Sequence, residues 1–156
     1  TASKAEYGLV VGREEQEGIL TRFLARAEIL LLVYEGHPLF EAREVSIAAL
    51  ERESLILMNE HFQMFADFNA ACHEAGFVPR ITAKTADSAF LYKLCRQGFG
   101  LAVVPSFMTE IFRMDHMRAL PFAEHLTWDV YGIYREDNRN FPTIRSFDGF
   151  LEKHMP

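Results

Sequence analysis

The sequence predicts an α/β fold built on a largely parallel sheet. Three observations carry that expectation. Apolar strand-like runs alternate with helical patterns of about a dozen residues. The run Glu28 to Glu35, EILLLVYE, is apolar without interruption, as befits a central strand covered on both faces. Glycine and proline fall between these segments and punctuate them. The chain has 156 residues, 49% hydrophobic and 24% charged, enough for one ordinary domain or two small lobes.

Taken in order, Tyr7 to Gly12 reads as a buried strand closed by its glycine. Arg13 to Gly18 is an acidic loop, and Leu20 to Arg26 is ambiguous. Glu28 to Glu35 is the second strand, ended by Gly36-His37-Pro38-Leu39. Ser46 to Leu50 suits one helical turn, and Ser54 to Met58 a third strand. Phe62 to Glu74 has helical spacing, with Phe65, Phe68, Cys72 and Ala75 on one face and Gly76 as the stop. Pro79 to Ala83 is extended. Asp87 to Gln97 is the next helix, with Asp87 as its N-cap and Gly98 just past its end. Phe90, Leu91, Leu94 and Cys95 form its apolar face. Leu101 to Val104 is a strand, Phe107 to Phe112 a short helix, and Ala119 to Phe122 and Leu126 to Tyr134 are strands. Pro142 opens the last helix, which turns Ile144, Phe147 and Leu151 inward. Of the fourteen phenylalanines, Phe65, Phe68, Phe90, Phe147 and Phe150 are assigned mainly to helix–sheet packing.

Composition narrows the function. A formal charge of −6 argues against this chain gripping phosphate backbones. Its longest apolar run, Ile29 to Tyr34, is far short of the ~20 residues that cross a membrane. Cys72 and Cys95 sit inside apolar helical patterns and read as buried free thiols. No nucleophile elbow, phosphate-binding loop or zinc-protease motif occurs. Gly98-Phe99-Gly100 follows a helix rather than a strand, so it reads as a helix stop. Cys72-His73-Glu74 and Asp115-His116 hold metal-ligand types, but adjacent helical residues diverge. The expectation is therefore no enzyme, no metal and no cofactor.

Two junctions remain where an extended segment hands over to a helix. One holds Asn59, Glu60, His61 and Gln63; the other holds Thr85, Asp87 and Ser88. In open α/β sheets ligands bind beyond the carboxyl ends of strands. Helix starts there present free N–H groups and the positive end of the dipole, which suits a carboxylate. Val104 ends a third strand and would floor the same cleft. Capping is the commoner use of Ser, Thr and Asp, so each residue taken singly keeps that alternative. Phe62 and Met64 lie close by, which also admits an aromatic or partly apolar ligand.

The order of these segments resembles the C-terminal part of a LysR-type transcriptional regulator. The residues that carry it are Tyr7 to Gly12, Leu24 to Leu32 leading to Gly36-His37-Pro38-Leu39, Ile47 to Leu50 with Ser54 to Leu57, and Ala75 to Ile81. The most telling stretch is LYKLCRQGFGLAVVP, Leu91 to Pro105. The tail Tyr131 to Leu151 also matches. The resemblance covers nearly the whole chain and implies a periplasmic-binding-protein-like fold, with one complete α/β lobe plus part of a second. Residues 1–36 and 125–156 would belong to the first lobe, and residues 37–124 would form the second. The family's helix-turn-helix domain, and the front of the first lobe, would precede Thr1.

The implied function is a cytoplasmic effector-binding and oligomerisation domain. Its partners would be a small-molecule effector, further copies of itself in a homodimer or tetramer, and DNA only through the helix-turn-helix domain. A solute-binding protein of a transport system is the rival reading. A third is an interaction module, with apolar faces around Leu30 and Tyr131 open to a partner.

Overall fold

The computed structural model describes residues 6–12 and 16–154, and the chain divides into two compact units. One runs up to Arg26 and resumes at Trp128; the other is Ala27–Thr127. The elements are β1 (Tyr7–Val11), β2 (Ile19–Tyr34), β3 (Ser54–Met58), α1 (Gln63–Glu74), β4 (Arg80–Thr85), α2 (Ser88–Arg96), β5 (Leu101–Pro105), α3 (Met108–Ile111), β6 (Met117–Pro121), β7 (Thr127–Arg135) and α4 (Pro142–His154). Their types and order match the sequence expectation. Arg13–Glu15, part of the expected acidic loop, lie outside the described residues.

In the unit Ala27–Thr127 the strand order is β6-β2-β5-β3-β4. Strand β3 runs parallel to β4 (Ser54↔Arg80 to Met58↔Thr85) and to β5 (Leu55↔Leu101). Both β3 and β5 are sealed on two faces: Leu55, Ile56, Leu57 and Leu101 to Val104 are all fully buried. Helix α1 buries Met64, Phe68 and Cys72, and Phe68 packs its ring 5.9 Å from that of Phe122. Helix α2 buries Leu91, Tyr92 and Cys95. It ends because Gly98 takes φ +78°, which lets Gly98 N–H reach the Cys95 carbonyl and Phe99 N–H reach that of Leu94.

The sheet is mixed rather than largely parallel. Strand β2 runs antiparallel to β5 (Leu30↔Val104) and to β6 (Leu30↔Pro121). An uninterrupted apolar run records burial on both faces, and that burial is the same for either strand direction. Strand β2 also begins at Ile19, so the ambiguous Leu20–Arg26 stretch is its first half. The compact units divide inside β2, between Arg26 and Ala27, and again after Thr127. The reason is that Ile29 to Tyr34 is tied by ladders to β5 and β6. Leu30, expected to lie open, is half-buried between those two strands.

In the other unit, β1 pairs with β7 antiparallel from Tyr7↔Tyr134 to Val11↔Val130, and β7 lies between β1 and β2. Helix α4 buries Ile144 and Leu151. The Tyr7 hydroxyl donates to Asp148 at 2.9 Å, and Arg22 pairs with Asp148 at 3.3 Å and with Glu152. Burial, then the bond to Asp148, pushes the Tyr7 phenol well above its ordinary value. Phe147 meets the Tyr7 ring edge-on at 4.9 Å.

Several phenylalanines fall outside the core. Phe90, Phe147 and Phe150 are exposed, and Phe65 is half-buried while Met64 takes the inner position. Ala75 is exposed as well. Both cysteines are buried free thiols; burial raises Cys72 to about 11 and Cys95 to about 12. No helix among the described residues is long and apolar enough to cross a membrane.

Candidate functional site

Parallel strands deliver their carboxyl ends to one edge of a sheet. Met58, Thr85 and Pro105 end β3, β4 and β5, so the loops after them share that edge in the unit Ala27–Thr127. The first two loops are directly joined: Asn59 N–H donates to the Thr85 carbonyl at 2.9 Å. All eight residues expected from sequence lie in these loops, at the strand ends or at the helix starts that follow.

The loop after β3 folds on itself. The Asn59 side-chain oxygen accepts from His61 N–H at 3.2 Å, and Phe62 N–H donates to the Asn59 carbonyl at 3.1 Å. Asn59 is thereby half-buried at the strand end, while Glu60, His61 and Gln63 face solvent. Phe62 is the N-cap of α1 and supplies no capping side chain. Of the first-turn N–H groups of this 12-residue helix, that of Phe65 donates to the Phe62 carbonyl at 3.0 Å, and those of Gln63 and Met64 keep their capacity to hold an acceptor. The Gln63 amide is turned along the helix and donates to Asp67 at 2.8 Å.

The loop after β4 is closed differently. Asp87 caps α2, accepting from Ala89 N–H at 2.8 Å and Phe90 N–H at 3.3 Å. Thr85 Oγ1 accepts from Asp87 N–H at 2.9 Å. A carboxylate thus already occupies the start of α2, and a second anion there would meet like charge. The capping alternative holds for Asp87, whose removal in Asp87→Ala should lower the unfolding free energy by about 1 kcal/mol, read from urea denaturation. Ser88, half-buried at the first position of α2, takes no part in that cap. Val104 is fully buried and paired with Leu30, so it builds the sheet beneath and offers no side chain to a ligand.

Lys84 opens the second junction, and sequence reasoning gave it no role. Its ammonium pairs with Glu60 and lies 5.4 Å from the centre of the Phe65 ring. That hydrogen bond holds the Glu60 carboxyl below its ordinary range. The signal was the alternation of RITAKT, which sets Arg80, Thr82 and Lys84 on the exposed face of β4. The edge as built offers one uncapped helix start, the half-buried Asn59, Thr85 and Ser88, and a neutralised Lys84–Glu60 pair. That set can orient a small polar or anionic molecule through hydrogen bonds. Among the described residues, no group of three His, Cys, Asp or Glu is placed to hold a metal ion.

Comparison with known proteins gives consistent results. The model of the LysR substrate binding domain matches residues 2–156. The HTH-type transcriptional regulator AlsR of Bacillus subtilis is 27% identical over 122 residues, covering 76% of this chain and 39% of that protein. The chain therefore spans less than half the length of that relative. The regulatory domain of Synechocystis PCC6803 CcmR, solved in complex with 2-PG, superposes with a TM-score of 0.84 at 13% identity, covering 97% of this chain and 74% of that one. The regulatory domain of MetR, a LysR family regulator from N. meningitidis, gives 0.82 at 16% identity, covering 96% and 70%.

Proposed function

The chain belongs to the LysR substrate-binding domain family, and from that premise we propose that it senses a small carboxylate or aromatic metabolite at the carboxyl ends of β3 and β4. Its coarser role is that of the effector-binding domain of a LysR-type transcription regulator. Its relatives are transcription regulators rather than enzymes or transport proteins, so the solute-binding reading has no support from them. The observation that carries the finer proposal is the pairing of an uncapped α1 start with Asn59, Thr85 and Ser88 on one sheet edge.

In this reading the effector's anionic or acceptor end lies at the first turn of α1. Asn59 and Thr85 fix its orientation, and the half-buried Phe62 and Phe65 supply apolar surface. Glu60 and Asp87 are positioning residues: one tethers Lys84, the other caps α2. The effector acts on transcription only through unequal affinity for the protein's alternative arrangements. DNA contact, cytoplasmic location and assembly into a dimer or tetramer are part of the same proposal for the whole regulator. AlsR, a relative named as helix-turn-helix type, extends well beyond the matched region.

The test is isothermal titration with a panel of small carboxylic acids, aliphatic and aromatic. At least one acid should bind, and Asn59→Ala with Thr85→Ala should weaken it at least tenfold. Identical binding by the wild-type and doubly substituted chains would remove the site assignment.

A further inference from the structure

A small polar cavity opens at the other end of the sheet in the unit Ala27–Thr127, away from the strand-end site. Strands β3 and β5 run parallel and start there, at Ser54 and Leu101. Strand β2 runs antiparallel to β5 and so ends there, at Tyr34. His37 in the turn after β2, Arg52 and Glu53 before β3, and the loop that follows α2 complete the wall. The space is about 180 Å³. At ~30 Å³ per water molecule that is room for about six waters, or for one very small organic molecule.

A histidine fixes the carboxylate of this cavity. The His37 side chain is 8% exposed. Its Nδ1 accepts from Leu39 N–H at 3.2 Å, so the ring proton sits on Nε2. Nε2–H then donates to Glu53 Oε2, also at 3.2 Å. The Tyr34 ring meets the imidazole edge-on, with centres 5.3 Å apart. Glu53 is thereby turned to His37, and its other oxygen, Oε1, stays free to accept. Arg52 is the neighbour in sequence, yet among the described residues no salt bridge joins it to Glu53. Unpaired cations are ordinary on this surface, and Arg80 and Arg145 also lack a carboxylate. What distinguishes Arg52 is its place: it shares a cavity with a carboxylate that is held away from it. Opposite charges thus line one small space without neutralising each other. The Tyr34 and Ser54 side chains, both half-buried, add hydroxyls that have no hydrogen-bond partner among the described residues.

We propose that this cavity binds a small zwitterion, an α-amino acid with a short side chain. Its ammonium donates to Glu53 Oε1. Its carboxylate accepts from the Arg52 guanidinium, whose parallel N–H groups match the two oxygens. The Tyr34 and Ser54 hydroxyls donate to the same carboxylate. A simple anion meets Glu53 as a like charge, and a simple cation meets Arg52 as one. A molecule that carries both signs satisfies both walls. The cavity shares no residue with the strand-end site.

The experiment is a side-chain-resolved NMR titration of the 156-residue chain with L-alanine, and with acetate and ethylammonium as probes that carry one charge each. L-Alanine should shift the Tyr34, Arg52 and Glu53 signals saturably, with an affinity at least tenfold above that of either single-charge probe. Arg52→Gln, at an exposed position, should lower that affinity at least tenfold. Glu53→Gln should do the same, while its amide oxygen still accepts from His37 Nε2–H. Asn59→Ala with Thr85→Ala should leave the cavity signals titrating as before, which separates this site from the strand-end one. Acetate or ethylammonium binding as tightly as L-alanine would overturn the proposal. So would unchanged affinity in either charge variant, an absence of saturable shifts at the cavity, or shifts confined to the loops after β3 and β4.

Discussion

Phe68→Ala should lower the unfolding free energy by about 3–5 kcal/mol. Phe68 is 2% exposed and is the largest side chain that α1 buries. It packs against Phe122, which is 1% exposed, with ring centres 5.9 Å apart. Truncation removes the ring's apolar surface and leaves a cavity bounded by elements fixed in a sheet ladder, so the site has little freedom to collapse. Set against a typical total of about 5–15 kcal/mol, the loss brings the domain close to its unfolding threshold. The reading is urea denaturation: the midpoint should fall while the slope stays constant. Phe68→Leu, which keeps most of the volume, should cost clearly less. A midpoint unmoved by Phe68→Ala would show that α1 is not held by this contact. The site depends on it, because α1 sets where its uncapped first turn stands relative to Asn59.

Gly100→Ala should cost about 1–3 kcal/mol or more by overpacking. A Cβ at position 100 would stand 2.6 Å from the Ser54 carbonyl oxygen and 3.1 Å from its carbon. Those are backbone atoms, held by the adjacent pairing of Leu55 with Leu101, and they cannot swing aside. Relief requires β5 to move off β3 at the start of their parallel ladder. Gly98→Ala is the internal control. Its Cβ would meet only the Tyr34 ring, at 3.6 Å, so its penalty is the left-handed φ of +78°, about 1–2 kcal/mol. Thermal unfolding of the two variants should rank Gly100→Ala below Gly98→Ala. The reverse order would mean that backbone conformation, not the close approach of β3, explains the glycine.

Particular residues show how far the sequence reaches. The start and stop of α2 were legible because the signals are local: Asp87 accepts from N–H groups two and three residues on, and Gly98 adopts a conformation other residues avoid. Strand β3 was legible end to end because five consecutive residues share one environment between Arg52-Glu53 and Asn59. The helix faces were not. Phe62, Phe65 and Phe68 are spaced so that two adjacent faces of α1 are apolar, and periodicity alone does not choose between Phe65 and Met64. The same holds for Phe90 and Tyr92 on α2. Of the site, the residues of both junctions were visible as polar groups at strand ends. The tether between Lys84 and Glu60 was not, since it joins residues 24 apart in sequence.

The sequence by itself determined the succession of strands and helices, the capped and glycine-stopped ends of α2, and the two polar junctions after β3 and β4. Each depends on hydrogen bonds and burial patterns that span only a few residues. Tertiary structure alone decided the antiparallel course of β2, the division of the chain within that strand, and the Lys84–Glu60 pair. It also decided the stacking of Phe112 on Tyr92. These join residues distant in sequence, such as Leu30 with Val104 and Tyr92 with Phe112. The free energy that selects them comes from ladders, ring contacts and charges that exist only after the chain has folded.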